Sequence, residues 1–167
     1  MVFYKPGIWM VKMINFQHET FTLTAKKFPN KICLIDGNKK YTYSQMNKFS
    51  NQIANFLLEK KIKPNSKVCI LIDKGFNLYA SILGILKAGG CWVPLSNYFH
   101  NNRIENLIKK IDPTMIICSG NNFPIVEKYK KKILIIDENK KNNVAYTKKN
   151  INSQKYQLKK KNFKSQS

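Results

Sequence analysis

Apolar residues along the chain form two alternating patterns, short continuous runs and longer stripes with helical spacing. The most apolar run, residues 68–72, reads Val-Cys-Ile-Leu-Ile and predicts a central strand that is covered on both faces. The clearest stripe predicts a helix over residues 45–60, with Ser44 as its N-cap. The members of this stripe, which share one helical face, are Met46, Phe49, Ile53, Phe56 and Leu57.

The alternation of runs and stripes continues on either side of these two elements. We expect a short helix over residues 18–27, a hairpin of residues 31–35 and 40–43 around Asp36-Gly37-Asn38, helices over 78–88, 102–111 and 124–129, and strands over 91–95, 115–118 and 133–136. Asn102 and Glu105 are the expected capping box of the helix over 102–111. Strands that alternate with helices predict a mainly parallel α/β sheet with helices on its faces and right-handed crossovers.

Residues 82–96 form a corner between a helix and a strand. Their sequence, Ile-Leu-Gly-Ile-Leu-Lys-Ala-Gly-Gly-Cys-Trp-Val-Pro-Leu-Ser, predicts a buried helix, a stop at two glycines and a short extended strand. Gly89 and Gly90 can adopt positive φ, so they can end the helix without a Cβ clash. Lys87 lies in the last helical turn, where a cation interacts favourably with the helix dipole.

The order of residues in this corner resembles a motif of adenylate-forming enzymes. Residues 86–95 are similar to the LKAGGAYVPLD motif of the amino-acid adenylation domains of nonribosomal peptide synthetases and of D-alanine–carrier protein ligases. Residues 40–47 resemble the LTYxELN motif of the same family, and residues 49–54 resemble its SNxLA motif. We therefore predict a partial AMP-binding (adenylation) domain over residues 15–138, and we leave residues 1–14 unassigned.

This resemblance implies a ligase that uses ATP and Mg²⁺ to activate an amino acid or another carboxylic acid as an acyl-adenylate. The acyl group then passes to the phosphopantetheine thiol of a carrier protein. Such chemistry needs a glycine-rich loop around the phosphates, yet no glycine lies beyond Gly120 and no run is rich in serine, threonine and glycine. The sequence therefore yields no catalytic, cofactor-binding or metal-ligating residue, and we expect the chain itself to hold no cofactor.

The formal net charge of +21 raises the possibility of a nucleic-acid partner. Arg103 is the only arginine, and the lysines accompany frequent asparagine and isoleucine, so we expect no specific nucleic-acid binding. We also expect no membrane span, because Lys87 interrupts the longest apolar window before it reaches the ~18 residues that a spanning helix needs.

The four cysteines lie in apolar runs without Cys-x-x-Cys spacing, so we expect buried, reduced thiols in a cytoplasmic protein; they are Cys33, Cys69, Cys91 and Cys118. The composition changes after Glu138. Residues 139–167 contain no acidic residue and few apolar residues, which predicts a disordered tail rich in lysine and asparagine.

Three hypotheses on function follow from the sequence. The first is a truncated N-terminal fragment of an adenylation domain, inactive on its own. The second is a free-standing α/β binding module derived from that scaffold, or one half of a split enzyme that assembles with a separately encoded remainder. The third is a basic RNA-associated protein that acts through its tail. None of the three predicts which acyl or amino-acid substrate is used.

Overall fold

The computed structural model describes residues 17–136. The unassigned extension over residues 1–14 and the predicted tail over residues 139–167 lie outside these described residues. The chain divides into two compact units, one up to Lys48 and one from Phe49 onward, and we describe each unit by itself.

The first unit contains a helix and a hairpin, as the sequence predicts. Helix α1 (Gln17–Lys27) is followed by strands β1 (Ile32–Asp36) and β2 (Lys39–Thr42), which pair antiparallel. Gly37 occupies the turn with a φ of 56°, a left-handed conformation that favours glycine. The aromatic rings of Phe21 and Tyr43 lie with their centroids 5.3 Å apart.

Helix α2 (Tyr43–Glu59) begins directly after the hairpin. Tyr43 is therefore helical, and the prediction that it ends a strand is wrong. The predicted N-cap Ser44 is also wrong, because the backbone N–H of Gln45 donates to Thr42 Oγ1 at 3.2 Å and the Thr42 N–H donates to Gln45 Oε1 at 2.8 Å. This reciprocal pair is a capping box in which one threonine both ends β2 and starts α2.

The second unit is built on a four-stranded sheet in which every pair is parallel, which confirms the predicted fold class. The strands are β3 (Lys67–Leu71), β4 (Cys91–Pro94), β5 (Met115–Ser119) and β6 (Ile133–Ile136), in the spatial order β4-β3-β5-β6. The connecting helices are α3 (Phe76–Lys87), α4 (Asn101–Ile111) and the short α5 (Phe123–Val126), which continues as a 3-10 segment over Glu127–Lys132.

Alternate residues of the strands face opposite sides of the sheet, and both sides are buried. One side packs against α4 and α5 in a cluster of buried residues: Cys69, Leu71, Leu95, Ile104, Ile108, Ile116, Cys118, Val126 and Ile133. The other side presents Val68, Ile70, Ile117 and Leu134, each at most 1% exposed. Helix α3 packs against β3 and β4 and belongs to this second side, because its right-handed crossover runs in the opposite direction to those of α4 and α5.

The predicted glycine stop is confirmed, but the two glycines act differently. Gly89 has a φ of 77°, as the end of a helix often requires. Gly90 is needed for space, because a Cβ there would lie 3.0 Å from Ile85 Cγ2 and 3.3 Å from the Ser66 carbonyl oxygen. The corner between α3 and β4 is thus fixed by backbone conformation at one glycine and by close packing at the next.

Two further expectations are corrected by the structure. His100 is the N-cap of α4, Asn102 lies inside the helix, and Glu105 pairs with Lys128, so the predicted Asn102–Glu105 capping box is wrong. Of the four thiols expected to be buried, Cys69 and Cys118 are fully buried, but Cys33 is only half-buried in the two-stranded hairpin and Cys91 is exposed because β4 is an edge strand. The sequence pattern around Cys91 resembles a core strand, and only the strand order shows that it is not one.

Helices α2 and α3 are in close contact at Gly84. A Cβ at Gly84 would lie 2.7 Å from Ile53 Cβ and 2.9 Å from the Ser50 carbonyl oxygen, so an added methyl group cannot fit without a backbone shift. Within an isolated helix, alanine is favoured over glycine by about 1 kcal/mol, which makes the sign of the effect at this position diagnostic.

We predict that Gly84→Ala lowers the free energy of unfolding by about 1–3 kcal/mol through overpacking. Urea unfolding followed by circular dichroism measures this change. The matched control is Gly120→Ala, where a Cβ meets nothing within 4 Å; it should alter stability by no more than about 0.5 kcal/mol. A Gly84→Ala variant that is more stable than the parent would contradict the close packing of α2 on α3.

Candidate functional site

The carboxyl ends of the parallel strands bring polar residues from separate loops to one edge of the sheet. We use the name carboxyl edge for residues 72–76, 95–100 and 119–123, which lie at the carboxyl ends of β3, β4 and β5. The chain leaves β3 toward β4 and then crosses back to β5 on the other side, so a topological switch point lies between β3 and β5. Open α/β sheets bind ligands at such a point, outside the carboxyl ends of their strands.

Asn122 connects the two strands that flank the switch point. Its Nδ2 donates to the Leu71 carbonyl oxygen at 3.2 Å, and its backbone N–H donates to the Ser119 carbonyl oxygen at 3.1 Å. The Asn122 residue is only 8% exposed. Because Leu71 is the last residue of β3, this buried side chain satisfies a carbonyl group at the strand end and fixes the loop after β5 against it.

A second side-chain bond joins the loops that follow β3 and β4. Asn97 Nδ2 donates to Asp73 Oδ1, and both residues are exposed. The Leu95 N–H donates to the Ile70 carbonyl oxygen at 2.8 Å, which extends the pairing of β4 with β3 by one residue. Beyond this point, residues 97–102 line an open depression at the surface.

The carboxyl edge also contains a hydroxyl group without a hydrogen-bond partner. Ser119 is the last residue of β5, it is 7% exposed, and its Oγ makes no hydrogen bond. A buried unpaired hydroxyl costs free energy, so the polar groups at this end of β5 are incompletely satisfied in the described structure.

The start of α3 at the same edge also lacks a side-chain cap, because its N-cap is Gly75.

The polar groups available at this edge are hydrogen-bonding side chains, the carboxylate of Asp73, the amine of Lys74 and the imidazole of His100. Within residues 17–136, no group of three histidine, cysteine or acidic side chains is placed to hold a metal ion. Gly75 and Gly120 are the two glycines at the edge, and they lie in different loops instead of forming one phosphate cradle. The described residues therefore do not fit a nucleoside triphosphate with its metal, and we derive no reaction step from them.

Lys87 is a second polar centre and lies away from the carboxyl edge. Its Nζ donates at 2.8 Å to Ser50 Oγ and at 2.8 Å to Asn51 Oδ1, so it links the last turn of α3 to α2. Ser50 is fully buried. Burial lowers the pKa of Lys87 from 10.5 to about 8, since the charged amine is desolvated beside the helix pair.

The sequence predicted no catalytic, cofactor-binding or metal-ligating residue, so there is no predicted set whose positions can be compared in the structure. Sequence reasoning missed Asn122, which follows an apolar strand within a Gly-Asn-Asn turn and carries no distinctive pattern. It assigned Lys87 only to the helix dipole. A signal was present for Lys87, because a single lysine among apolar residues of a buried helix requires a polar partner, and Ser50-Asn51 interrupts the apolar face of α2.

A family model described as AMP-binding enzyme matches residues 21–166. The chain belongs to the AMP-binding enzyme family. The match includes both helices joined by Lys87 and all three loops of the carboxyl edge, so the resemblance of residues 40–54 and 86–95 to adenylation motifs is confirmed. It also continues past residue 138, and the predicted boundary at that residue stays a prediction.

Curated relatives of this AMP-binding chain are peptide synthetases. It is 33% identical over 100 residues to Gramicidin S synthase 2 of Brevibacillus brevis, which covers 60% of the chain and 2% of the synthase. It is 28% identical over 134 residues to Syringomycin synthase SyrB1 of Pseudomonas syringae pv. syringae, which covers 80% of the chain and 20% of that protein. The chain therefore spans a small part of each relative, the N-terminal part of an adenylate-forming domain of the nonribosomal peptide synthetase type.

Solved structures show the same fold. The chain resembles the R395G form of Coronafacic Acid Ligase from Pectobacterium brasiliense with a TM-score of 0.66 and 24% identity, over 75% of this chain and 27% of the ligase.

Within residues 17–136, no helix combines the length and the apolar character that crossing a bilayer requires.

The lowered pKa of Lys87 predicts a pH dependence of stability. The unfolded chain holds this proton up to about pH 10.5 and the folded chain releases it from about pH 8, so the unfolded state binds more protons between these values. Stability therefore rises with pH in this window. We predict that the wild-type chain becomes more stable relative to Lys87→Met as the pH increases from 8 toward 10.5.

Unfolding curves at several pH values, compared between wild type and Lys87→Met, measure this effect. Burial raises the pKa of Cys69 to about 11 and that of Cys118 to about 12, so these thiols lower the stability of the folded chain as the pH rises above about 9. Their contribution is the same in wild type and in Lys87→Met, and the comparison of the two proteins therefore removes it. Lys74→Met is the control for removing an exposed lysine from the loop after β3. Parallel stability curves for wild type and Lys87→Met would mean that the amine is as well solvated as in the unfolded chain.

Proposed function

We propose that this chain supplies the N-terminal scaffold of an ATP-dependent ligase domain and does not carry the catalytic centre itself. The complete domain would activate an amino acid or another carboxylic acid as an acyl-adenylate, with Mg²⁺ at the phosphates. It would then transfer the acyl group to the phosphopantetheine thiol of a carrier protein. The observation that carries this proposal is the family match over residues 21–166, since the sheet and helices of residues 17–136 lie within it.

The chemistry of the carboxyl edge supports the division of roles. Adenylate formation requires donors that are fixed around the phosphates as negative charge develops, and such groups usually supply the largest share of rate enhancement. The edge offers Asn122, held against the end of β3, and the exposed pair Asp73 and Asn97. These residues shape one wall of a site, and the phosphate-binding donors would come from a segment with the glycine-rich loop that this sequence lacks.

We further propose that the chain acts in the cytoplasm, where ATP is available and where free thiols persist. Cys33, Cys69, Cys91 and Cys118 are all free cysteines. The remainder of the domain would be a partner if it is encoded separately, as in a split enzyme. A coding sequence for a glycine-rich phosphate loop beside this one would support that arrangement, and the same motif in another reading frame would support truncation by gene decay.

We predict that the purified 167-residue chain does not catalyse ATP–pyrophosphate exchange with a pool of amino acids and other carboxylic acids. Loss of even one preorganised donor costs about 10²–10³ in rate, and here the whole phosphate-binding set is missing from the sequence. The many lysines do not replace it, because mobile surface cations lack the required positioning.

The exchange assay needs two controls, a complete adenylation domain as the positive control and a mock purification from cells without the gene. Exchange above the mock level, in proportion to the amount of chain added, would show that this protein is a complete enzyme. Equality with the mock level while the complete domain is active is the expected result.

A further inference from the structure

The exposed lysines of the second unit are concentrated at the edge of the sheet opposite the carboxyl edge. We use the name amino edge for residues 59–67, 88–91, 109–115 and 132–133, which lie at the amino ends of the four strands. Its exposed lysines come from three of these segments and are Lys60, Lys61, Lys63, Lys67, Lys109, Lys110 and Lys132. Among the described residues of this edge, the only carboxylates are Glu59 and Asp112, and Asp112 is already paired with Lys132 at 3.0 Å.

The opposite end of the same sheet has a different charge distribution. At the carboxyl edge Asp73 directly precedes Lys74, and in the helices that start there Glu105 pairs with Lys128. Positive and negative groups are therefore mixed at the carboxyl edge, whereas positive groups predominate at the amino edge. A lysine-rich composition would by itself distribute the charge over both ends, so the fold and not only the composition creates the basic surface.

The backbone of the amino edge is held in place by hydrogen bonds between its loops. The Asn65 N–H donates to the Gly89 carbonyl oxygen at 2.8 Å, and the Thr114 N–H donates to the Lys67 carbonyl oxygen at 2.8 Å. Lys67 Nζ donates to the Ile111 carbonyl oxygen at 3.1 Å, which ties β3 to the end of α4. The lysines therefore project from a fixed framework and their charges add up over one surface.

We propose that the amino edge is a binding surface for the phosphate backbone of nucleic acid, independent of base sequence. Lysine recognises phosphate as a point charge, and a protein that neutralises several phosphates gains affinity by releasing counterions. Base recognition is not expected, because the only arginine, Arg103, lies in the first turn of α4 and stacks over the Phe99 ring at 4.1 Å. This role is separate from adenylation and does not use the carboxyl edge.

An anionic membrane is the alternative partner for a basic surface, and the structure favours it less. Membrane-surface binding usually combines cations with a continuous apolar face on one amphipathic helix. The exposed large apolar residues nearest the amino edge are Leu58 in α2 and Trp92 in β4, which lie on different elements. No continuous apolar face accompanies the lysines in the part of the chain that the structure describes.

The test compares two variants of the full chain with the same loss of charge. The edge variant carries Lys61→Gln, Lys63→Gln, Lys109→Gln and Lys110→Gln, and it leaves Lys67 and Lys132 in place because they bond to the framework. The control variant carries glutamine at four other exposed lysines, namely Lys26, Lys39, Lys40 and Lys74. Residues 139–167 are unchanged in both, so their lysines contribute equally.

Binding is measured by fluorescence anisotropy with a labelled oligouridylate of about 30 nucleotides over a series of salt concentrations. We expect the edge variant to bind about tenfold more weakly than the control variant, and the slope of log affinity against log salt to become shallower by about 3. Sedimentation with vesicles of phosphatidylcholine and phosphatidylserine is the parallel arm. An edge variant with arginine at the same four positions should keep the affinity, which separates loss of charge from loss of folding.

Equal losses in the edge and control variants would overturn the proposal, because net charge alone would then explain the binding. Absence of binding by the wild-type chain would overturn it as well. A loss of vesicle binding in the edge variant and not in the control variant would also overturn the proposal. The surface would then be assigned to anionic lipid if RNA binding is kept, and to polyanions in general if RNA binding is lost as well. An edge-selective loss for RNA alone supports the proposal.

Discussion

Strand β3 is buried on both faces and hydrogen-bonded along both edges, and the second unit of the chain is arranged around it. Residues 68–71 of this strand are almost fully inaccessible to solvent, so the sheet needs cover from helices on each side. Helices α4 and α5 cover one side and α3 covers the other, as the right-handed crossovers to opposite neighbours require. Helix α2 can then close on α3 only because Gly84 has no side chain.

This arrangement gives the two ends of the sheet different properties. The carboxyl edge holds a small set of neutral and mixed-charge groups around the switch point, where open α/β sheets have room for a ligand. The amino edge gathers lysines from loops that are hydrogen-bonded to one another. Lys87 belongs to neither set, because its amine is used inside the fold to join α3 to Ser50 and Asn51 of α2.

Much of the fold could be predicted from the sequence because burial patterns are local in this chain. The predicted strand over residues 133–136 has the same bounds as β6. The apolar run of residues 68–72 predicts β3, and the conformational freedom of glycine predicts the corner at Gly89. Helix starts were harder. Thr42 and Ser44 have similar capping propensities, and only the end of β2 selects Thr42, while Asn102 has a high capping propensity yet lies inside α4. The exposure of Cys91, the role of Asn122 and the lysine-rich edge depend on strand order, which no local pattern contains.

Hydrogen–deuterium exchange of the full chain tests most directly whether β3 is the centre of the fold. Amides that open only with global unfolding exchange slowest, so peptides covering β3 and β5 should show the strongest protection. Peptides covering the edge strand β4 and the two-stranded hairpin of β1 and β2 should exchange faster, because each of these strands has an edge without a strand partner among residues 17–136. Exchange in β3 as fast as in the β1–β2 hairpin would contradict the account.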